Sequence, residues 1–259
     1  MARSPAQAER RRRKLADALA RRGEVSTTEM AERLGVSAMT VRRDLEALEE
    51  AGVAVRSYGG AVAAQRITFQ FAFDERRRRH LAKKRRIGQE AARRVEAGQT
   101  VFLDTGTTTL EVARALAAAG ASCTVATSSL GIASTLWGAE GLDLVLLGGR
   151  VRRGSPDLAG PGTEVMLERL TADVAFLGSD GVDPGRGSFA GDLEAARVAE
   201  GMAASARRVI VVADGSKLGL AGAARCVRIE DVDELITDRG AAAAVVRALR
   251  ARGVAVTLA

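Results

Sequence analysis

Over the first fifty residues, apolar positions recur at helical spacing in three short segments. Leu15, Ala18 and Leu19, with Arg22 closing the pattern, trace a first helix. Met30, Ala31 and Leu34 trace a second, and Val41, Leu45 and Leu48 a third. Ser26-Thr27-Thr28-Glu29 reads as a capping box at the start of the second helix. Gly35 stands where that helix should stop, and Ser37 where the next should begin. Helices joined by so tight a turn cannot lie antiparallel; they must cross steeply, which is helix-turn-helix geometry. After Gly52 the run Val53–Val62 alternates and turns, which predicts a β wing.

From Thr100 onward the pattern changes. Apolar runs at 100–104, 122–127, 143–148, 173–178, 207–213, 234–237 and 254–258 predict strands, with Ala-rich helices between several of them. This alternation predicts an α/β domain with a parallel-rich sheet and helices on both faces. Three regions follow: a winged helix-turn-helix at 1–64, a basic connector and helix at 65–97, and an α/β domain at 98–259. Within the connector Phe69, Phe71 and Phe73 alternate ahead of a helix-like stretch.

Composition narrows the classes. With 259 residues and 47% apolar positions, the chain can bury sizeable cores. No apolar run approaches the roughly 18 residues of a membrane span. The basic start, Arg10 to Lys14, lacks the apolar core of a signal peptide, so a cytoplasmic protein is expected. Two cysteines, Cys123 and Cys226, make no disulfide framework and are expected as buried free thiols. His80 is the one histidine, which excludes a His-rich metal site; no cofactor or metal is expected.

The net charge of +7 is unevenly spread. Residues 1–65 carry 12 Lys/Arg against 9 Asp/Glu, residues 66–86 carry 9 against 2, and residues 87–259 carry 18 against 21. A basic N-terminal third suits a polyanion partner, with a solvated charge run as the alternative. On the third helix, Ala38, Met39, Arg42 and Arg43 lie opposite the apolar stripe. The N-terminal turns of such a helix enter the DNA major groove, where Arg suits guanine. Ser37 and Thr40 can donate to phosphates or bases, and Arg56 and Tyr58 of the wing can reach phosphate. Asp44 is expected to pair with an arginine of this chain.

These residues carry a resemblance. Arg11, Leu15 and Leu19, then Ser37-Ala38-Met39-Thr40-Val41-Arg42-Arg43-Asp44-Leu45, resemble the signature of the DeoR/GlpR family of bacterial transcriptional regulators. Arg56-Ser57-Tyr58-Gly59-Gly60-Ala61 is similar to that family's wing, with Tyr58 where His is common.

The C-terminal region has its own chemistry. The strand ending at Asp104 runs into Thr105-Gly106-Thr107-Thr108-Thr109 and then a helix. A strand, a hydroxyl-rich loop and a helix N-terminus make an anion site, because the first amides are unpaired and the dipole favours negative charge. Neither a nucleotide P-loop nor a dinucleotide fingerprint is present. Thr127-Ser128-Ser129, Leu147-Gly148-Gly149, Phe176–Asp183 and Asp214-Gly215-Ser216-Lys217 end four further strands. Each alone is turn chemistry. Together they point to one polar pocket beyond the strands' carboxyl ends.

From about residue 73 to 258 the chain resembles the sensor domain of the same family. That resemblance implies a fold related to ribose-5-phosphate isomerase and CoA transferases, with a phosphorylated sugar as effector. It implies that Thr105, Gly106, Thr107, Thr108 and Thr109 hold the phosphate. Asp104, Asp180 and Asp183 would meet sugar hydroxyls, Lys217 would add positive charge, and Gly148 and Gly149 would line the pocket. Ser128 joins the set, standing where the family often has Asn, and Gly215 stands where Ser is common. Arg150, Arg152 and Arg153 either assist an anion or belong to a solvated loop. The expected function is a sequence-specific regulator, a repressor of sugar-metabolism genes, binding operator DNA as a dimer or larger homo-oligomer. The alternatives are an isomerase-like enzyme using Asp180, Asp183, Glu194 and Lys217, and an architectural DNA binder with a vestigial pocket.

Overall fold

The computed structural model describes residues 5–50, 53–63, 76–152 and 155–259. Phe69, Phe71, Phe73 and Arg153 lie outside the described residues. The chain divides into two compact units, the second of which begins at Arg76.

In the first unit, α1 (Pro5–Arg22), β1 (Glu24–Ser26), α2 (Thr27–Leu34) and α3 (Ala38–Glu50) precede a hairpin of β2 (Ala54–Ser57) and β3 (Gly60–Ala63). The apolar stripes meet in one core built from Leu15, Leu19, Val25, Met30, Val41, Leu45 and Leu48. β1 was not evident in the sequence. It pairs antiparallel with β3, giving the sheet order β1-β3-β2. The strands come so close that a Cβ on Gly60 would lie 2.0 Å from the Val25 carbonyl oxygen, so only glycine fits there.

The expected capping box is absent. Ser26 belongs to β1, paired with Gly60, and its side chain caps nothing. Glu29 instead pairs with Arg22. Strand pairing has taken the residue that local pattern assigned to a cap.

The second unit is built on a seven-stranded sheet. Its strands are β4 (Thr100–Leu103), β5 (Cys123–Thr127), β6 (Leu142–Leu146), β9 (Val174–Gly178), β12 (Val209–Val212), β14 (Glu234–Thr237) and β15 (Ala255–Leu258). All pairings are parallel, in the order β15-β14-β12-β9-β4-β5-β6. Each predicted strand is found within two residues at either end. Both faces are covered. Phe102, Ala175, Leu177, Val209, Val211 and Leu235 join one core cluster, and their alternating neighbours Val101, Leu103, Phe176, Ile210 and Ile236 are also buried. Helices α4 (Leu81–Ala92) and α5 (Thr107–Ala118) pack together, α4 against β12 and β14 and α5 against β9. Helix α6 (Leu130–Leu136) packs on β6, and helix α8 (Leu193–Ala204) packs on β9 and on α7 (Pro161–Glu168). Cys123 and Cys226 are free and buried.

Two small additions were not evident in the sequence. β10 (Gly181–Asp183), β11 (Gly187–Ala190) and β13 (Ala224–Val227) form an antiparallel sheet, and β7 (Arg150–Val151) pairs with β8 (Leu158–Ala159). Among the described residues, no helix is long and apolar enough to cross a membrane.

The order of the large sheet matters for function. The chain runs outward from β4 through β5 and β6 on one side, and from β9 through β12, β14 and β15 on the other. The direction reverses between β4 and β9. In open parallel sheets a crevice opens at the carboxyl ends of such a strand pair.

Candidate functional site

In the first unit the turn between α2 and α3 is short because glycine permits it. Gly35 adopts φ 64° and ψ 38°, the left-handed cap, and the Val36 N–H closes the helix end on the Ala31 carbonyl at 3.0 Å. Ser37 then caps α3: its Oγ accepts the Thr40 N–H at 3.2 Å and lies 2.9 Å from Thr40 Oγ1. One face of α3 buries Val41, Asp44, Leu45 and Leu48. The opposite face presents Met39, 56% exposed, with the exposed Arg42 and Arg43. Among the described residues, no hydrogen bond or ion pair occupies either guanidinium, so both remain available to an outside acceptor.

Behind this face, Asp44 pairs with Arg11 and Arg12 of α1, as expected. The Arg11 Nη2 reaches Asp44 Oδ1 at 3.1 Å, and the Asp44 side chain is 3% exposed. This pair ties the base of α3 to α1. Tyr58 projects fully into solvent at the hairpin tip. Arg56 of β2 reaches two carboxylates of α3, its Nη1 2.9 Å from Glu46 Oε1 and its amide bonded to Glu49 Oε1 at 3.0 Å. Two exposed carboxylates therefore hold it in place.

In the second unit the chain leaves β4 at Asp104, beside the point where strand order reverses. The Asp104 carboxylate accepts the Gly178 N–H at the end of β9, 3.0 Å away, and so spans the crevice. Burial raises its pKa to about 7; hydrogen bonds from the Thr105 and Gly178 amides oppose this, and the Asp157 and Asp180 charges add to it. Gly106 then turns with φ 132°, open to glycine alone, and α5 starts at Thr107. Thr109 Oγ1 donates back to the Gly106 carbonyl at 3.1 Å, and Thr108 and Thr109 are buried. Thr105 and Thr107 are partly exposed at the loop.

A residue that sequence reading missed completes the loop. Lys84 of α4 is buried at 5% exposure, and its Nζ donates to Thr107 Oγ1 at 2.9 Å and to the Arg76 carbonyl. Burial lowers its pKa, against the attraction of Asp214. In the sequence Lys84 falls within the basic run of 66–86, where a solvated charge is the plain reading. Its spacing to Ile87, Gly88 and Ala91 was the available signal, because those four residues share the buried face of α4.

The other expected residues divide. Asp180 lies at the loop: its Oδ1 is 3.7 Å from Lys217 Nζ and 3.8 Å from Arg76 Nη1, and its Oδ2 accepts the Gly191 N–H at 3.0 Å. Ser128 follows β5 directly beside Asp104, buried, with no partner for its Oγ among the described residues. Asp104, Thr105–Thr109, Ser128, Asp180 and Lys217 thus gather at one rim with Lys84 and Arg76. Asp183 does not join them. It caps the Pro184-Gly185 turn, accepting the Gly185 N–H at 2.9 Å, about 10 Å along the strand from Asp180. Gly148 and Gly149 sit two strands from β4 and serve packing. A Cβ on Gly149 would lie 2.2 Å from Thr163 Oγ1, so the loop after β6 can close on α7 only with glycine there. Arg150 pairs with Glu194, and Arg152 with Asp157, Asp192 and Glu194, so carboxylates of this chain already neutralise both.

A family model of the DeoR-like helix-turn-helix domain matches residues 11–66, and one of the DeoR C-terminal sensor domain matches residues 79–239. The chain belongs to the DeoR family of transcriptional regulators. The HTH-type transcriptional regulator GlpR of Haloferax volcanii is 37% identical over 82% of this chain and 83% of that one. The glycerol-3-phosphate regulon repressor of Escherichia coli K12 is 31% identical over 83% of this chain and 85% of that one. The HTH-type transcriptional repressor GlcR of Bacillus subtilis is 32% identical over 86% and 85%. Among solved structures, ribose 5-phosphate isomerase A of Methanocaldococcus jannaschii matches with a TM-score of 0.41 and 19% identity, over 54% of this chain and 55% of that one.

Proposed function

We propose that this DeoR-family regulator is a repressor of sugar-metabolism genes that releases its operator when the second unit binds a phosphorylated sugar. The observation that carries the reading is the buried Lys84 ammonium, bonded to Thr107 at the N-terminus of α5. First-turn amides, hydroxyls and an ammonium converge where strand order reverses, and that combination suits a phosphate dianion. Thr105, Gly106 and Thr107 offer donors, while Thr108 and Thr109 shape the wall. Asp104, Ser128 and Asp180 take sugar hydroxyls, and Lys217 balances charge. Gly148, Gly149 and Asp183 support the surrounding loops. The name of the E. coli relative, a glycerol-3-phosphate regulon repressor, fits an effector that is a phosphate ester.

On the DNA side, Ser37, Met39, Thr40, Arg42 and Arg43 enter the major groove, and Arg56 and Tyr58 meet phosphates. One such helix covers few base pairs, so two copies read paired half-sites. The protein acts by binding and not by turnover. An isomerase-like site would need Asp180, Asp183, Glu194 and Lys217 around one substrate. Glu194 is held by Arg150 and Arg152, and Asp183 by its own turn.

Thermal melts against a panel of sugar phosphates and the parent sugars test the effector. A phosphate ester at 100 times its Kd should add about 2.7 kcal/mol, and its parent sugar almost nothing. Thr107→Val should weaken that ester by roughly 10- to 100-fold, the worth of one hydrogen bond to a charged group. Equal stabilisation by sugar and ester would remove the phosphate from the account.

A further inference from the structure

The second unit begins at Arg76, where the chain arrives from the helix-turn-helix unit. Residues 76–78 are helical and lead through a turn into α4. His80 stands in that turn with φ 57°, the one non-glycine residue of positive φ among the described residues. Its carbonyl accepts the amides of Lys83 and Lys84 at 3.0 and 3.1 Å. Such a conformation is held only where the surroundings enforce it. One enforcing contact is visible: Lys84 Nζ, one helical turn along, reaches back to the Arg76 carbonyl. The same ammonium donates to Thr107 Oγ1, on the loop proposed to hold phosphate. An ammonium has three donors, and these two bonds leave one.

We propose that Lys84 is the joint between effector and DNA-binding unit: a phosphate monoester on the Thr105–Thr107 loop takes its third donor and thereby stiffens the Arg76–His80 turn. This rests on the reading of that loop as the phosphate site. A dianion beside Lys84 strengthens the whole set of bonds, adding to the attraction that Asp214 and Glu111 already exert on the buried ammonium. Arg76 belongs to the same group through Asp180, 3.8 Å from its guanidinium. The anion therefore acts at Arg76, where the second unit begins.

Hydrogen exchange of the full-length protein tests this, with inorganic phosphate as the probe and chloride matched for ionic strength. Melting temperature read on the same samples reports occupancy. In the unmodified protein, phosphate should raise the melting temperature and slow exchange at the Lys83 and Lys84 amides about tenfold, the size of one charge-assisted hydrogen bond. In Lys84→Met the slowing should vanish, even at phosphate concentrations that still raise the melting temperature. Stabilisation with unchanged exchange at 79–84 would overturn the joint and leave the phosphate site standing. Slowing that persists in Lys84→Met would assign the coupling elsewhere. No stabilisation of the unmodified protein at any phosphate concentration would overturn both.

Discussion

Asp104→Asn should stabilise the protein at pH 8 by about 4 kcal/mol and leave it nearly unchanged at pH 4. The folded carboxyl holds its proton up to about 7, because it is buried, whereas its ordinary value is 3.8. Between these values the folded state binds more protons than the unfolded chain, so stability falls as pH rises and the loss is complete above about 7. Asparagine keeps an acceptor for the Gly178 amide and carries no charge to bury. In melting temperature the gain corresponds to roughly 10 °C for a unit of this size. Melts of both proteins from pH 4 to 9 check it, and parallel curves for the two would refute it. Under the proposed function, in which Asp104 takes sugar hydroxyls, the variant should also bind effector less well. Natural sites commonly hold such destabilised groups for function.

The second large effect is expected in the other unit. Asp44→Ala should cost about 3–5 kcal/mol, because it leaves Arg11 mostly buried without its partner. Arg11 is 12% exposed at its side chain and Asp44 only 3%. So small a unit has little stability to spare, so α3 should lose its footing on α1 and DNA binding should fail. Asp44→Asn, which can still accept from Arg11, should recover most of the loss. Circular dichroism melts separate the two variants. Wild-type stability in Asp44→Ala would show that the pair positions nothing.

Much of this architecture was readable because the strongest signals came from burial. Val209–Val212 and Leu235–Thr237 are buried on both faces of a parallel sheet, so they appear as continuous apolar runs between helices. Gly35 and Ser37 mark helix ends through their own backbone chemistry. What escaped depends on distant partners. β10 and β11 are short and glycine-bearing, and β11 needs β13, some forty residues on, to form its sheet. β1 exists only because the hairpin returns to it, and it took Ser26 from the expected cap. At the site, the Thr105–Thr109 loop was legible as strand, loop and helix start. Lys84 was not, because a buried lysine within a basic run looks like a solvated one unless its register with Ile87 and Ala91 is read. Asp183 misled for the opposite reason: an Asp-Pro-Gly turn offers the same residue types as a polar pocket.

The central claim is that a phosphorylated sugar governs DNA binding, and an operator titration tests it most directly. A fragment selected by the protein from random duplex DNA would be titrated with full-length protein, with and without each sugar phosphate, at one fixed salt concentration. One ester should weaken binding about 5- to 150-fold, the usual span of such coupling, and its parent sugar should not. Arg42→Ala should lose preference for the selected fragment and keep its ester-induced stabilisation. An ester that stabilises the protein yet leaves its affinity for the fragment unchanged would contradict the account.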